Sequence, residues 1–195
     1  GLYWTQLGAL MPYDTRKLIE EINLPALRSE VTAALYKDTL ARIPFLHNRE
    51  ANFVTNIVTK LVPLHVLQGE LVVREGEVGT NVFFLFNGKV ASIYRERTVK
   101  YMVPGSYFGD VAVLLTERHL LSYRAHGVCD LYILSKDDLL DALQHFPHYT
   151  FEMRELAVSR LAVMNEDIEN LNAQASGTDS AISTSTTLEP VVSTE

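Results

Sequence analysis

The residues with the clearest capacity for chemistry lie near the middle of the chain. Phe108 and Gly109 end a strand-like run, Asp110 follows as an acid, and an apolar stretch comes directly after it. A turn of this kind exposes the free backbone N–H groups of Asp110, Val111 and Ala112 at the start of a helix, where an anion is stabilised. This segment is therefore a candidate phosphate site. The same local pattern also fits a plain strand–turn–helix connection in which Gly109 supplies a tight turn.

The spacing of the hydrophobic residues changes from one region of the chain to the next. Residues 13–60 repeat apolar side chains at helical spacing, which predicts a string of short helices. Residues 62–135 form short β-rich runs closed by Gly, Pro or charged residues, which predicts a small antiparallel roll. Ser135 and Asp138 resemble a capping box that opens a helix, and a second helix follows Pro147. The predicted fold class is α+β.

Composition and charge exclude several classes of function. The chain has 195 residues, of which 47% are apolar and 21% charged, and its net charge of −7 argues against binding to nucleic acid. We find no apolar 18-residue span, zinc-ligand spacing, nucleophile–base pair or Walker-type lysine in the sequence. We therefore expect a soluble piece that is not an enzyme, holds no metal and needs no cofactor. The single Cys129 cannot form an internal disulfide, which favours a reducing compartment.

The spacing of the motifs as a whole is similar to that of a cyclic nucleotide-binding domain. The matching pieces include R-E-G-E-V-G at 74–79 and V-F-F-L-F-N-G at 82–88, together with the Phe-Gly-acid turn. The resemblance implies that Asp110 holds the ribose 2′-hydroxyl of cAMP or cGMP. It also implies that the helix-end N–H groups and an arginine about ten residues after the glycine hold the cyclic phosphate. Arg160, with Met164 after it, matches a lid-helix position over the purine, although a surface arginine covering apolar neighbours fits equally well.

The N-terminal helices resemble the C-linker that joins the pore of hyperpolarisation-activated and cyclic-nucleotide-gated channels to this domain. The pieces that carry the resemblance lie at 3–4, 24–28, 43–46 and 51–61. The resemblance implies a partial helical C-linker over residues 1–48 and a jelly-roll-like β-roll with flanking helices over residues 49–172. It also implies a membrane parent protein with this part at the cytoplasmic face, partnered with the pore and, through residues 24–43, with identical subunits of a tetramer. The Ser/Thr-rich residues 173–195 are predicted to be a disordered tail.

The chain departs from the family pattern at the phosphate site. Counting without gaps puts His119 at the phosphate arginine and Leu120 at the Ser or Thr that follows it. Because histidine is mostly neutral near pH 7, a charge-assisted hydrogen bond of roughly 1.5–3 kcal/mol is lost, which weakens binding by about one to two orders of magnitude. Arg118 is the nearest substitute, but a one-residue slip would turn the following strand over. Counting also places Ser92 and Lys100 near the base pocket, which is then less apolar than is usual in the family.

Two functions fit the sequence. The first is a structural and regulatory domain of a voltage-gated-like cation channel with weak or absent cAMP or cGMP binding, as in ether-à-go-go-like channels. The second is a functional cAMP or cGMP sensor that gates the channel. His119 and Leu120 favour the first function, whereas Gly109, Asp110 and Arg160 favour the second. A sodium/proton exchanger carrying the same module is a more distant alternative.

Overall fold

The computed structural model describes residue 23 and residues 43–182, with side chains described up to residue 175. Most of the predicted C-linker, residues 1–48, lies outside the described residues, and with it the proposed contacts between subunits. Residues 43–48 form turns that lead into the first described helix.

The described chain alternates short helices with a run of antiparallel strands. Its elements are α1 Ala51–Val58, β1 Val62–Val66, β2 Leu71–Val73, β3 Asn81–Asn87, β4 Val90–Tyr94, β5 Arg97–Met102, β6 Tyr107–Phe108, a π-helical turn Ala112–Thr116, β7 Ser122–Ala125, β8 Cys129–Ser135, α2 Lys136–His145 and α3 His148–Ile182. The predicted α+β class, with a β-roll between helices, is confirmed.

Two four-stranded sheets face each other in the roll. One sheet has the strand order β1-β8-β3-β6 and the other has the order β2-β7-β4-β5. All the described pairings are antiparallel. Strand β6 pairs with β3 through Phe108 and Phe83, so the candidate turn that follows β6 starts at the edge of the first sheet.

An aromatic stack ties the two sheets together behind this turn. The Phe83 and Phe108 rings lie 5.1 Å apart with an interplanar angle of 13°, and the Phe108 and Tyr123 rings lie 4.2 Å apart at the same angle. Phe83 and Phe108 belong to the first sheet and Tyr123 to the second. Each such pair adds roughly 0.5–1.5 kcal/mol beyond the burial of its area. The floor of the candidate site is therefore well packed.

The two C-terminal helices follow the roll directly. The Ser135 Oγ accepts a hydrogen bond from the backbone N–H of Asp138 at 3.1 Å, which confirms the predicted cap of α2. Pro147 stands between α2 and α3. A second apolar core, formed among others by Phe53, Leu139 and Met153, packs α1, α2 and the start of α3 against the roll.

The helix α3 extends further than the sequence predicts. It ends at Ile182, so residues 173–182 are helical where the composition predicts the start of a disordered tail. Alanine and glutamine, which occupy positions 173–175, are strong helix formers and continue the preceding turns. The remaining tail, residues 183–195, lies outside the described residues. Within the described part of the chain, no helix combines the length and the apolar character needed to span a bilayer.

Candidate functional site

Gly109 shapes the turn between β6 and the short helical segment. Its φ of +94° lies in the region that favours glycine, and a Cβ atom at this position would lie 2.4 Å from the carbonyl oxygen of Asn81. The Gly109 carbonyl accepts a hydrogen bond from the Val113 N–H at 3.0 Å, which starts the helical segment. A side chain at position 109 would therefore collide with β3, so this turn requires glycine.

The residues predicted around the phosphate come together at this turn. A small cavity of about 10 Å³, named here the turn cavity, is lined by Gly109, Asp110, Val111, Ala112, His119, Leu120, Tyr123 and Met164. Phe108 lies fully buried in the aromatic stack beside it. A volume of this size holds about one water molecule, so a phosphate enters only if the walls move apart.

His119 contributes a neutral side chain to the turn cavity. Its backbone N–H donates to the Glu77 carbonyl at 2.9 Å, and its carbonyl accepts from the Gly76 N–H at 2.8 Å, so its position is fixed. Burial lowers the pKa of His119 from its usual 6.5, and the nearby Glu77 charge only partly opposes this effect. At pH 7 the imidazole is therefore uncharged.

Arg118 binds a backbone carbonyl outside the turn cavity. Its Nη1 donates to the Gly76 carbonyl at 2.8 Å, and its side chain is exposed. It forms no part of the turn cavity, whose described lining contains neither arginine nor lysine. Arg118 forms an isolated bridge with Val78, four residues before β7 begins at Ser122.

Asp110 pairs with the lid helix. Its carboxyl group is almost fully buried, with 2% of the residue exposed, and its Oδ2 lies 2.8 Å from the Nε of Arg160. Burial raises the pKa of Asp110, while the Arg160 charge and the N–H groups of Asp110 and Val111 counteract this effect. Its Oδ1 is buried without a well-directed hydrogen bond.

Arg160 is fixed by three contacts with the roll. Besides the pair with Asp110, its Nη2 donates to the Tyr107 carbonyl at 2.8 Å, and its guanidinium carbon lies 4.0 Å from the centre of the Tyr107 ring. The resemblance places Arg160 over a purine; in the structure the side chain instead binds the carboxylate expected to hold the ribose. The sequence does not indicate this pairing, because the two residues lie on separate elements.

A second ion pair holds the same face of α3. The Lys100 Nζ lies 2.6 Å from Asp167 Oδ2. Asp167 follows Arg160 by seven residues, so both side chains leave the helix on one face, with the buried Met164 between them. Two ion pairs, one on each side of the apolar contact made by Met164, thus hold the helix on the roll. Asp167 was not predicted, although its spacing from Arg160 was a usable signal.

A larger cavity of about 710 Å³, named here the lid cavity, lies between α3 and the roll. Its lining includes Pro44, Ser92, Lys100, Tyr101, Met102, Ser106, Tyr107, Leu121, Tyr123, Arg160, Val163 and Met164. It shares Tyr123 and Met164 with the turn cavity. Ser92 and Lys100, which are expected near a base pocket, both line this cavity.

The polar groups in the lid cavity are largely engaged with the protein itself. The Ser92 hydroxyl donates to the Lys100 carbonyl at 3.1 Å and accepts from the Lys100 N–H at 3.2 Å, next to a β-bulge after Ser92. Burial raises the pKa of Tyr107 to about 12, so its phenol stays neutral. Among the described residues, no cluster of His, Cys, Asp and Glu could hold a metal ion.

Comparisons with known proteins agree with this geometry. Residues 63–146 match the family model for the cyclic nucleotide-binding domain. The chain is 32% identical over 150 residues, or 76% of its length, to the potassium/sodium hyperpolarization-activated cyclic nucleotide-gated channels 2 of Mus musculus and 1 of Homo sapiens. The matched segment is 17% of the length of each of these relatives.

A solved structure shows the same fold at lower identity. The structure titled cAMP bound PfPKA-R (141-441) superposes with a TM-score of 0.55 and 20% identity, over 69% of this chain and 49% of that one. Together with the turn at Gly109 and the lid helix α3, these matches confirm the family predicted from the sequence. The chain therefore belongs to the family of cyclic nucleotide-binding domains of the hyperpolarisation-activated channel type, and residues 63–146 match the model of that domain.

Proposed function

We propose that this chain is a non-catalytic regulatory domain at the cytoplasmic face of a tetrameric cation channel, and that its pocket binds cAMP or cGMP weakly or not at all. The observation that carries the proposal is the neutral pair His119 and Leu120 in the wall of a turn cavity of about 10 Å³. The relatives named above are longer channel proteins, so the pore and the tetramer are part of the proposal.

The electrostatics of the site support weak binding of an anion. A cyclic phosphate carries one negative charge, and burial of that charge needs a cation or several hydrogen-bond donors. The described lining of the turn cavity offers only neutral donors, such as the backbone N–H groups of the turn, the neutral His119 imidazole and the Tyr123 hydroxyl. The guanidinium of Arg160 is already paired with Asp110.

The lid helix is the element through which the pocket would influence the pore. A ligand can shift the position of α3 only if it binds one position more tightly than another. In this chain, contacts of the protein with itself, at Arg160 and Asp167, hold α3 on the roll. We therefore assign the domain a role in stabilising one conformation of the linker and pore rather than in responding to cyclic nucleotides.

The proposal predicts the outcome of a direct titration. Isothermal titration calorimetry of the 195-residue chain with cAMP and with cGMP should show no saturation at micromolar ligand, because the charge-assisted hydrogen bond of the family is missing. Circular dichroism on the same sample checks that the chain is folded. A sub-micromolar affinity for either nucleotide would contradict the proposal.

A functional sensor is the second candidate, and one observation favours it. The glycine turn and the backbone N–H groups of residues 110–112 are retained, and Asp110 keeps a buried acceptor oxygen without a well-directed partner. In that case the same titration saturates at micromolar ligand or below. The calorimetric result therefore separates the two candidates.

Any residual binding should depend on pH through His119. A bound phosphate stabilises the imidazolium, so ligand and proton increase each other's affinity, and binding strengthens as pH falls. Because burial lowers the pKa of His119 in the free chain from its usual 6.5, the increase should continue to pH values below 6.5. The other titratable groups near it are Glu77 and Asp110. The measurement is the affinity for cAMP between pH 7.5 and about 5.5.

His119→Ala provides the control for this pH dependence. The variant removes the imidazole and leaves Glu77 and Asp110 in place. Its affinity for cAMP should change little over the same pH range. A slope equal to that of the unsubstituted chain would show that another group titrates.

A further inference from the structure

The turn cavity and the lid cavity differ in volume by a large factor. The turn cavity has a volume of about 10 Å³, whereas the lid cavity, which opens to solvent, has a volume of about 710 Å³. Binding sites for drug-sized ligands in proteins span roughly 300–1,000 Å³. The lid cavity therefore has room for a purine and its ribose, while the adjoining space for a phosphate is closed.

The charges that face the lid cavity occur in opposite pairs. Arg160 pairs with Asp110 at 2.8 Å, and Lys100 pairs with Asp167 at 2.6 Å. Both cations that line the cavity thus have an acidic partner from the protein itself. An anionic ligand would have to compete with these carboxylates, whereas an uncharged ligand would leave both pairs intact.

The remaining walls suit a planar aromatic ring. Tyr101, Met102 and Tyr107 line the roll side, and Met164 and Val163 line the helix side. Aromatic and thioether groups gain from contact with the face of a planar heterocycle.

We propose that the lid cavity binds an uncharged purine nucleoside, and that it does so at least tenfold more tightly than the corresponding cyclic nucleotide. This inference rests on the proposed function, because it requires the phosphate site to be degenerate. It goes beyond that function by giving the pocket a ligand class of its own. A tenfold ratio corresponds to about 1.4 kcal/mol.

The experiment compares four probes on the full 195-residue chain. Adenosine and guanosine are each titrated against the matching cyclic nucleotide, cAMP or cGMP, by calorimetry and by ligand-observed NMR for the weaker probes. We expect a saturable signal for at least one nucleoside, with an affinity at least tenfold higher than that of its cyclic nucleotide. The difference should persist in high salt, since the nucleoside is uncharged.

Two matched variants locate the binding site. Val163 and Val158 both lie on α3 and are 49% and 47% exposed, but only Val163 lines the lid cavity. Val163→Trp places an indole at the mouth of the cavity and should weaken nucleoside binding at least tenfold. Val158→Trp should change it less than twofold. Equal thermal midpoints of the two variants would show that both retain the fold.

Each outcome bears on the inference in a defined way. A preference for the nucleoside that Val163→Trp abolishes and Val158→Trp leaves intact supports it. No saturation by either nucleoside up to millimolar concentration, a preference below tenfold, or an equal effect of the two variants overturns it and leaves the proposed function standing. Sub-micromolar binding of a cyclic nucleotide overturns both.

Discussion

The double substitution His119→Arg with Leu120→Thr is expected to raise the affinity for cAMP by about 10- to 100-fold. The arginine restores a permanent charge and a two-pronged donor opposite the backbone N–H groups of residues 110–112, and a charge-assisted hydrogen bond contributes roughly 1.5–3 kcal/mol. His119 already lies in the wall of the turn cavity, so the new guanidinium starts beside the turn. Calorimetric titration with cAMP measures the gain.

Two controls separate the restored charge from other effects. Leu120→Thr alone adds a hydroxyl without a cation and should gain less than the double variant. Arg118→Gln removes a guanidinium that points to the Gly76 carbonyl and should leave cAMP binding unchanged. If the double variant folds but shows no gain, the missing cation is not the cause of weak binding, and the pocket must be blocked elsewhere.

The substitution Arg160→Met is expected to lower the free energy of unfolding by about 3 kcal/mol near pH 7, because it leaves the buried Asp110 carboxylate without its partner. Methionine keeps much of the apolar stem of the side chain. The loss should appear as a lower urea midpoint with an unchanged dependence on urea concentration.

The pH dependence of this loss identifies its cause. Burial already raises the pKa of Asp110 above its usual 3.8, and removal of the Arg160 charge raises it further. A raised pKa means that the folded chain holds the proton more tightly than the unfolded chain, so folding gains stability as the pH falls through that pKa. The deficit of the variant should therefore shrink in acid.

Matched variants complete the test of the buried pair. Asp110→Asn combined with Arg160→Met removes both charges and should recover part of the lost stability. Lys100→Met breaks the more exposed pair with Asp167 on the same face of α3, and should cost less than about 1 kcal/mol. A cost for Lys100→Met as large as that for Arg160→Met would show that burial of Asp110 is not the source of the effect.

Local features of the site could be predicted from the sequence, whereas contacts between distant elements could not. The role of Gly109 follows from its neighbours along the chain, and His119 lies beside it because only ten residues separate the two. The pairs of Arg160 with Asp110 and of Asp167 with Lys100 join residues 50 and 67 positions apart. Only the packing of α3 on the roll brings these groups together.

The volume of the lid cavity could not be predicted from the sequence either. The lining of the lid cavity comes from the strands and the lid helix together, and its volume depends on how closely α3 approaches β5. The helical residues 173–182 show a further limit, since their Ser/Thr-rich composition predicts disorder although the preceding helix continues into them. Composition describes the average behaviour of a segment and omits the effect of a helix that already exists beside it.

Because α3 is long, a tilt about its first residue, next to Pro147, would move its far end much further than its middle. The helix runs over His148–Ile182, so Arg160 lies about 18 Å from its start and the far end about 50 Å, at a rise of about 1.5 Å per residue. A tilt of about 10° would displace Arg160 by about 3 Å and the far end by about 9 Å. A tilt that separates the Arg160 guanidinium from the Asp110 carboxylate would thus move the far end of α3 roughly three times as far as Arg160.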